Sequence, residues 1–312
     1  MPRWRRSLHL VPARPEVRPS SFVRVAVVAL LAQVLIVLTG SGVRLTGSGL
    51  GCTDWPRCFE DRTVPPWGFH HWVEFGNRLL SIAVVATAIA AVVAARWRRP
   101  YRRDLLWLSV GLVVGVLAQA VLGGILVLFD LDPRLNMGHF LLSMVLILDG
   151  VVLVHRAAER GPMGHVDEVV RWLSSLVVVT AAVVVATGSV VTGSGPHAGD
   201  DRAARLPFEL VSVARVHAVS MWVFAAATLL CAVVAARRGV TAGLRRPMHV
   251  LVGLVVAQGT LGYTQYALGV PAGLVSLHIL GACLVWWTAL VLWLRVRDAA
   301  AVPTPTRQEV RV

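Results

Sequence analysis

The sequence predicts an all-α integral membrane protein, with eight transmembrane helices arranged as two tandem four-helix bundles related by pseudo-twofold symmetry. Three observations support this prediction: a high overall hydrophobicity, eight long apolar segments and an internal repeat. Of the 312 residues, 56% are hydrophobic and only 15% are charged. A soluble protein of this length would need amphipathic helices to cover its core, and the sequence contains almost none.

The apolar segments account for most of the chain. Most of them reach the roughly 20 residues that a helix needs to cross a bilayer. They lie at about residues 22–42, 72–95, 105–128, 136–154, 172–191, 209–236, 247–268 and 272–294. We interpret the first segment as an uncleaved span, because it is not followed by the small-residue cleavage pattern of a signal peptide.

The basic residues predict how the chain is oriented. All 30 are arginine, and 22 of them lie at the two ends of the chain or in the loops that follow every second apolar segment. This bias follows the positive-inside rule and predicts that both termini are cytoplasmic. It also explains the net charge of +13. The lipid bilayer is therefore the expected partner, and nucleic acid is not.

The two halves of the chain resemble each other. Residues 118–142 align with residues 257–281 without a gap, so that His139 corresponds to His278, 139 residues later. A four-helix unit that is duplicated in tandem keeps its orientation, since each unit has an even number of spans. The repeat therefore predicts two equivalent bundles.

The repeat also sets the predicted domain boundaries. The motif TGSGVRLTGSG (39–49) is echoed by TGSVVTGSG (187–195) at the outer end of the first helix of each half. The predicted units are a basic cytoplasmic tail (1–21), an amino-half bundle (22–155), a cytoplasmic linker (156–171), a carboxyl-half bundle (172–296) and a cytoplasmic tail (297–312).

Four helices each carry one distinctive polar residue at a similar depth. These residues, Asn77, His139, His217 and His278, lie about 9–14 Å below the outer ends of their helices at 1.5 Å per residue. Two histidines at matched depth in one half favour an axial pair for haem iron. A proton relay is the alternative, but it needs carboxylates in series, and the carboxyl half offers only Glu209 near its rim.

The four cysteines fall into two groups. Cys231 and Cys283 lie within apolar helices, and we interpret them as packing residues. Cys52 and Cys58 lie in the first external loop, where an oxidising environment allows a disulfide to persist. A zinc site is the alternative, and the lack of nearby partner ligands disfavours it.

Several motifs together resemble the haem A synthase family, whose members are membrane enzymes that convert haem O to haem A. In chain order they are TGSGLGC…WPRC after helix 1, Glu-x-x-[His/Asn]-Arg at 74–78, GHFLLSM, RVHAVS and SLHILGA. The resemblance covers the chain outside its tails. It implies a bacterial plasma-membrane enzyme that oxidises a ring methyl of haem O to the formyl group of haem A for cytochrome c oxidase biogenesis.

The resemblance implies a different role for each half. In the carboxyl half, His217 and His278 would bind a permanent haem b that passes electrons. In the amino half, His139 would bind the iron of the substrate haem, and Glu74 would lie close to the reacting group. A carboxylate there can transfer protons or stabilise a cationic intermediate.

One residue departs from the family pattern. Much of the family has a histidine three residues after the glutamate, whereas this chain has Asn77, and an amide is a poor ligand for haem iron. The substrate haem would then be bound by His139 alone, or by His139 with His70 or His71, or by His139 with a water molecule opposite.

Three arginines at the outer rim have two interpretations. Arg44, Arg78 and Arg215 either lie in the polar headgroup layer or pair with haem propionates, since a guanidinium matches the geometry of a carboxylate.

The resemblance also suggests partners. Haem O synthase and oxidase assembly factors are expected neighbours by pathway, and the electron donor is expected to be a quinol or a small redox protein. Two other functions are compatible with the sequence: a non-catalytic or quinol-linked membrane cytochrome b, and a small-molecule transporter. A reduced-minus-oxidised spectrum separates haem proteins from the transporter.

Overall fold

The computed structural model describes residues 16–158 and 165–301. The predicted tail residues 1–15 and 302–312, and residues 159–164 of the predicted linker, lie outside the described residues. The described residues form eight long helices: α1 (Pro19–Leu45), α2 (Phe69–Trp97), α3 (Arg103–Leu128), α4 (Pro133–Ala157), α5 (Glu168–Ser194), α6 (Leu210–Arg237), α7 (Ala242–Ala267) and α8 (Ala272–Asp298). Two short strands, β1 (His165–Val166) and β2 (Ala300–Ala301), pair in parallel.

Seven of these helices are long and apolar enough to cross a membrane. Within the described part of the chain, α7 is the helix that falls short, because it carries Arg245 and Arg246 near its start and polar residues such as Gln258 and Gln265 further along. The prediction of an all-helical, multi-pass membrane protein is confirmed. The eighth span stays a prediction.

Most helices extend beyond the apolar segments from which they were predicted. α4 begins at Pro133, where Asp132 accepts hydrogen bonds from the backbone N–H groups of Arg134 (2.8 Å) and Leu135 (3.4 Å). α5 likewise begins after Asp167, whose carboxylate accepts from Val169 N at 2.8 Å. These carboxylates accept hydrogen bonds from N–H groups that the first turn of a helix leaves free. Each helix can therefore begin before its apolar segment.

The helices of the two halves pack in the same cyclic order. In the amino half, α1 and α3 each contact α2 and α4; in the carboxyl half, α5 and α7 each contact α6 and α8. Between the halves, α8 contacts α1 and α4, and α4 also contacts α5. One buried apolar cluster runs through this interface and includes Leu30, Ile147, Val170 and Leu290. The halves therefore share a core.

Polar contacts join the halves at both ends of the helices. At the end that holds the Cys52–Cys58 loop, which we call the disulfide end, Gly49 N donates to Gly199 O at 2.8 Å. At the opposite end, His155 Nε2 lies 2.6 Å from Asp298 Oδ2. These contacts link the loop after α1 to the loop after α5, and α4 to α8.

Candidate functional site

The carboxyl half brings His217 of α6 and His278 of α8 together. Their ring centroids are 6.4 Å apart and their ring planes are inclined by 78°. Metal-to-nitrogen bonds of about 2 Å on each side would place two imidazole centroids about 6 Å apart. The pair is therefore spaced to accept one metal ion between the rings, as the axial ligands of a haem would be.

Neighbouring helices shape the space around the two rings. A Cβ on Gly188 would lie 3.0 Å from His217 Cε1, and a Cβ on Gly262 would lie 3.3 Å from His278 Cε1. Glycine at these positions therefore lets each imidazole pack directly against the backbone of the adjacent helix. A side chain at position 188 would require the ring of His217 to shift by a few tenths of an ångström.

A hydroxyl group orients His217. Thr187 Oγ1 lies 3.1 Å from His217 Nδ1 and also donates to the carbonyl of Val183 at 3.0 Å. A hydrogen bond at Nδ1 fixes the imidazole and leaves Nε2 as the nitrogen that can bind a metal. Among the described residues, His278 Nδ1 has no such partner.

A cavity of about 430 Å³ contains this histidine pair. Its walls come mainly from α5, α6, α7 and α8, and most of the lining side chains are apolar. A largely apolar cavity of several hundred Å³ with a few convergent polar groups is typical of a cofactor site. The spacing of the rings and the composition of the walls both fit a haem.

Two of the three predicted arginines also line this cavity. Arg215 belongs to α6, whereas Arg44 reaches in from α1 of the amino half and donates from Nη1 to Thr192 O at 3.3 Å. Phe140 of α4 is a further amino-half residue in the wall. The site in the carboxyl half is therefore built partly from the amino half.

The amino half repeats the same framework with a different residue in place of one histidine. Thr39 Oγ1 donates to Asn77 Oδ1 at 2.8 Å, as Thr187 contacts His217. A Cβ on Gly40 would lie 3.8 Å from Asn77 Nδ2, so this glycine corresponds to Gly188. Asn77 thus occupies the place that His217 has in the carboxyl half, and it keeps the supporting hydroxyl group.

The second position of the framework is the same in both halves. Gln119 Nε2 donates to His139 O at 2.9 Å, and Gln258 Nε2 donates to His278 O at 2.8 Å. A Cβ on Gly123 would lie 3.3 Å from His139 Cε1, the same distance as for the corresponding glycine of α7. His139 is therefore held as His278 is held.

Glu74 is buried at the disulfide end of α2, and both of its oxygens have partners. Oε2 accepts from Cys52 N at 2.6 Å, and Oε1 accepts from Arg78 Nη2 at 2.5 Å and Nε at 3.1 Å. Arg78 Nη1 also donates to the carbonyls of Asp54 (2.8 Å) and Arg57 (3.0 Å). Glu74 and Arg78 therefore anchor the loop between the two cysteines.

The predicted disulfide between Cys52 and Cys58 is confirmed, and Cys231 and Cys283 are buried and free as predicted. The loop also contacts both candidate substitute ligands. His70 Nδ1 lies 2.9 Å from Ser48 Oγ, and His71 Nδ1 contacts the carbonyl oxygen of Gly51.

The supporting residues of the site were not predicted from the sequence. Thr39 and Thr187 stand in the repeated TGS motif, which was interpreted only as a marker of helix ends. Gln119 and Gln258 are aligned in the repeat, and no role was predicted for them. Repetition of a polar residue inside an apolar helix was the signal that could have identified all four.

Comparisons with known proteins identify one family that the chain resembles. A family model described as cytochrome oxidase assembly protein (COX15-CtaA) matches residues 23–200. Heme A synthases of Geobacillus thermodenitrificans and Geobacillus kaustophilus (strain HTA426) are each 32% identical to the chain, over 136 and 139 residues. Each of these alignments covers 43% of this chain and 42% of the relative.

A longer alignment covers both halves. The heme A synthase of Rhizorhabdus wittichii is 25% identical over 338 residues, which is 90% of this chain and 95% of that protein. The chain aligns with about two fifths of the length of the two Geobacillus proteins. The family model covers more than half of the chain, and the resemblance predicted from the motifs is confirmed: the protein belongs to the COX15-CtaA family of cytochrome oxidase assembly proteins.

Proposed function

We propose that the protein is a haem A synthase, an oxidoreductase that converts a ring methyl of haem O to the formyl group of haem A. One observation carries this proposal: the two halves hold equivalent frameworks, with a histidine pair in one and a histidine opposite an asparagine in the other. A permanent cofactor suits the first framework, and a substrate that must leave suits the second. Family membership supports the same activity.

The proposed architecture is two four-helix bundles with eight spans, the disulfide end outside the cell and both termini in the cytoplasm. The matching packing order of the two halves supports the bundles. The clustering of arginines near the opposite end supports the orientation. The disulfide supports it as well, since disulfides persist on the oxidising side of a membrane.

In the carboxyl half, we assign His217 and His278 as the ligands of a haem b. When bound, this group would supply one-electron transfer to the reaction. The role of the protein is to hold this group. Thr187 fixes the ring of His217, and Arg44 and Arg215 offer guanidinium groups to the propionates.

In the amino half, we assign His139 to the iron of the substrate haem. Asn77 places a weakly ligating amide on the side where the carboxyl half has a histidine. A substrate held by one strong ligand can bind a small molecule on its other face and can dissociate after reaction. We therefore leave the second position without a protein ligand. His70 and His71, whose Nδ1 atoms contact Ser48 and the carbonyl oxygen of Gly51, are the alternatives.

Glu74 is the proposed catalytic residue. Cys52 N and Arg78 hold its carboxylate in one orientation. A fixed orientation suits a group that acts on a bound porphyrin. Arg78 contacts Glu74 and the carbonyls of Asp54 and Arg57, so its part is to hold the carboxylate in place. We accordingly assign Arg78 to the positioning of Glu74, and Arg44 and Arg215 to propionates.

The test is haem extraction and chromatography from cells that make haem O and express each variant. We expect Glu74→Gln to lower the haem A yield by about a hundredfold, within the range for loss of an acid or base. Arg78→Gln is the matched control, because it breaks the same ion pair but keeps the carboxylate. It should retain a clearly higher yield than Glu74→Gln.

Three outcomes would contradict this assignment. Equal losses in the two variants would mean that Glu74 serves only to anchor the loop. Parental levels of haem A in Glu74→Gln would remove the catalytic role altogether. Haem b without any haem A in cells that express the parental protein would favour a non-catalytic or quinol-linked cytochrome b.

A further inference from the structure

The two halves differ in how they cover the seam between their second and third helices. By this seam we mean the line of contact between α6 and α7 in the carboxyl half and between α2 and α3 in the amino half. In the carboxyl half, Tyr263 of α7 lines the cavity, and its hydroxyl accepts a hydrogen bond of 2.9 Å from Trp222 Nε1 of α6. Both side chains are more than half exposed, so they lie at the outer surface of the bundle. The seam between α6 and α7 is thus covered by a hydrogen-bonded pair that the helices themselves carry.

The amino half lacks this pair. The ungapped repeat places Gly124 of α3 where α7 has Tyr263, and the correspondence of Asn77 with His217 places Ile82 where α6 has Trp222. Glycine has no side chain and isoleucine cannot donate a hydrogen bond. Ile82 and Gly124 therefore cannot form a hydrogen-bonded pair between α2 and α3 like that of Trp222 and Tyr263.

Trp55 of the disulfide loop fills the gap. A Cβ on Gly124 would lie 2.5–2.7 Å from three carbon atoms of the Trp55 indole, so the ring is seated directly on the backbone of α3. The residues around Trp55 are fastened to α2, because Arg78 binds the carbonyls of Asp54 and Arg57. The indole therefore lies on α3, within a loop segment whose neighbouring residues are bound to α2, and it is 38% exposed.

This seat adjoins the proposed substrate site. Gly123, the residue before the seat, is the glycine that packs against His139. Gly124 lies four residues before the end of α3 at Leu128, which is about 6 Å at 1.5 Å per residue. An opening at this seam would connect the His139 site sideways with the lipid near the disulfide end.

We propose that Trp55 is the gate of the amino-half site. A flat, largely apolar porphyrin enters and leaves through the seam between α2 and α3, which Trp55 covers. This inference rests on the proposed function, since it takes the amino half to be the substrate site. A resident cofactor needs no exit, so its seam can be closed by side chains on packed helices. A substrate must exchange, and a side chain on a loop can move without disturbing the helix packing.

The test uses the full-length protein in lipid nanodiscs with zinc protoporphyrin IX as the probe. Entry is followed by the fluorescence change on mixing, and release by transfer of the probe to excess apomyoglobin. We expect Trp55→Ala to accelerate both entry and release by about tenfold and to change the Kd much less. Gly124→Ala should act in the same direction, because its methyl group displaces the indole.

Two further variants serve as controls. Trp55→Phe keeps a flat ring on the seat and should stay near the parental rates. Trp67→Ala removes another tryptophan at the same end, which is 90% exposed and stacked on Trp72, and should not change them. Retention of the disulfide, measured by thiol labelling, confirms that each variant is folded. If Trp55→Ala does not accumulate, Trp55→Leu and Gly124→Ala provide the same test.

The outcomes separate the gate from the proposed function. Parental entry and release rates in both Trp55→Ala and Gly124→Ala would overturn the gate alone. Faster release with unchanged entry would make Trp55 a binding contact and would also overturn the gate. If the parental protein does not bind the probe, or if His139→Ala binds it equally well, the proposed substrate site is wrong. The gate then fails as well.

Discussion

The two halves of the molecule use the same supporting contacts around different residues. A threonine on the first helix of each half contacts the key residue of the second helix, which is Asn77 in one half and His217 in the other. A glutamine on the third helix binds the carbonyl of His139 or His278. The comparison teaches that a duplicated framework can exchange one buried polar side chain for another while its supporting contacts persist.

The halves also differ at the disulfide end. In the amino half, Glu74 and Arg78 tie a disulfide-closed loop over the ends of the helices. In the carboxyl half, the cavity is lined by Arg215 and by Arg44, which comes from the other half. The first arrangement suits a site whose covering loop can open. The second suits a site whose bound group stays in place.

The largest expected effect tests which half holds the permanent haem. His217→Ala or His278→Ala should abolish the low-spin haem b signal, because each removes one of the two proposed ligands of its iron. His139→Ala, at the corresponding position of the amino half, is the matched control and should keep that signal. Reduced-minus-oxidised spectra of the purified proteins provide the measurement. A normal spectrum in both carboxyl-half variants would show that the comparison is wrong.

An intermediate effect is expected from the supporting threonines. Thr187→Val removes the hydrogen bond to His217 Nδ1 and should weaken haem retention by about 10- to 100-fold, as is typical for residues behind a metal ligand. Thr39→Val is the matched change and should leave this haem in place, because its partner is Asn77. Haem loss to apomyoglobin gives both rates. Equal loss rates in the two variants would refute the assigned role of Thr187.

The sequence predicted the long helices and the disulfide, because apolar length and two cysteines in one loop are local signals. It did not predict that Arg44 would line the cavity of the other half, since that depends on how α1 packs against the carboxyl half. It also missed the anchoring role of Arg78. An arginine near a membrane surface has several possible partners, and only the folded loop brings the carbonyls of Asp54 and Arg57 to it.

The smallest effect is expected from making the amino half more like the carboxyl half. Asn77→His restores a histidine beside Thr39, whose hydroxyl already lies 2.8 Å from Asn77 Oδ1. Gly40 leaves more room at this position than Gly188 leaves beside His217, so an imidazole can be accommodated. The substrate haem should then have two strong ligands and leave about tenfold more slowly.

The measurement is the spectrum of the variant loaded with haem, together with haem loss to apomyoglobin. We expect a second low-spin, six-coordinate component, and a lower yield of haem A, because the second ligand occupies the face that the reaction needs. Adding Thr39→Val should reduce the new component, since the introduced ring loses its support, whereas adding Thr187→Val should affect only the original one. If Asn77→His adds no low-spin component, the position of Asn77 is not equivalent to that of His217, and the framework shared by the two halves does not extend to iron binding.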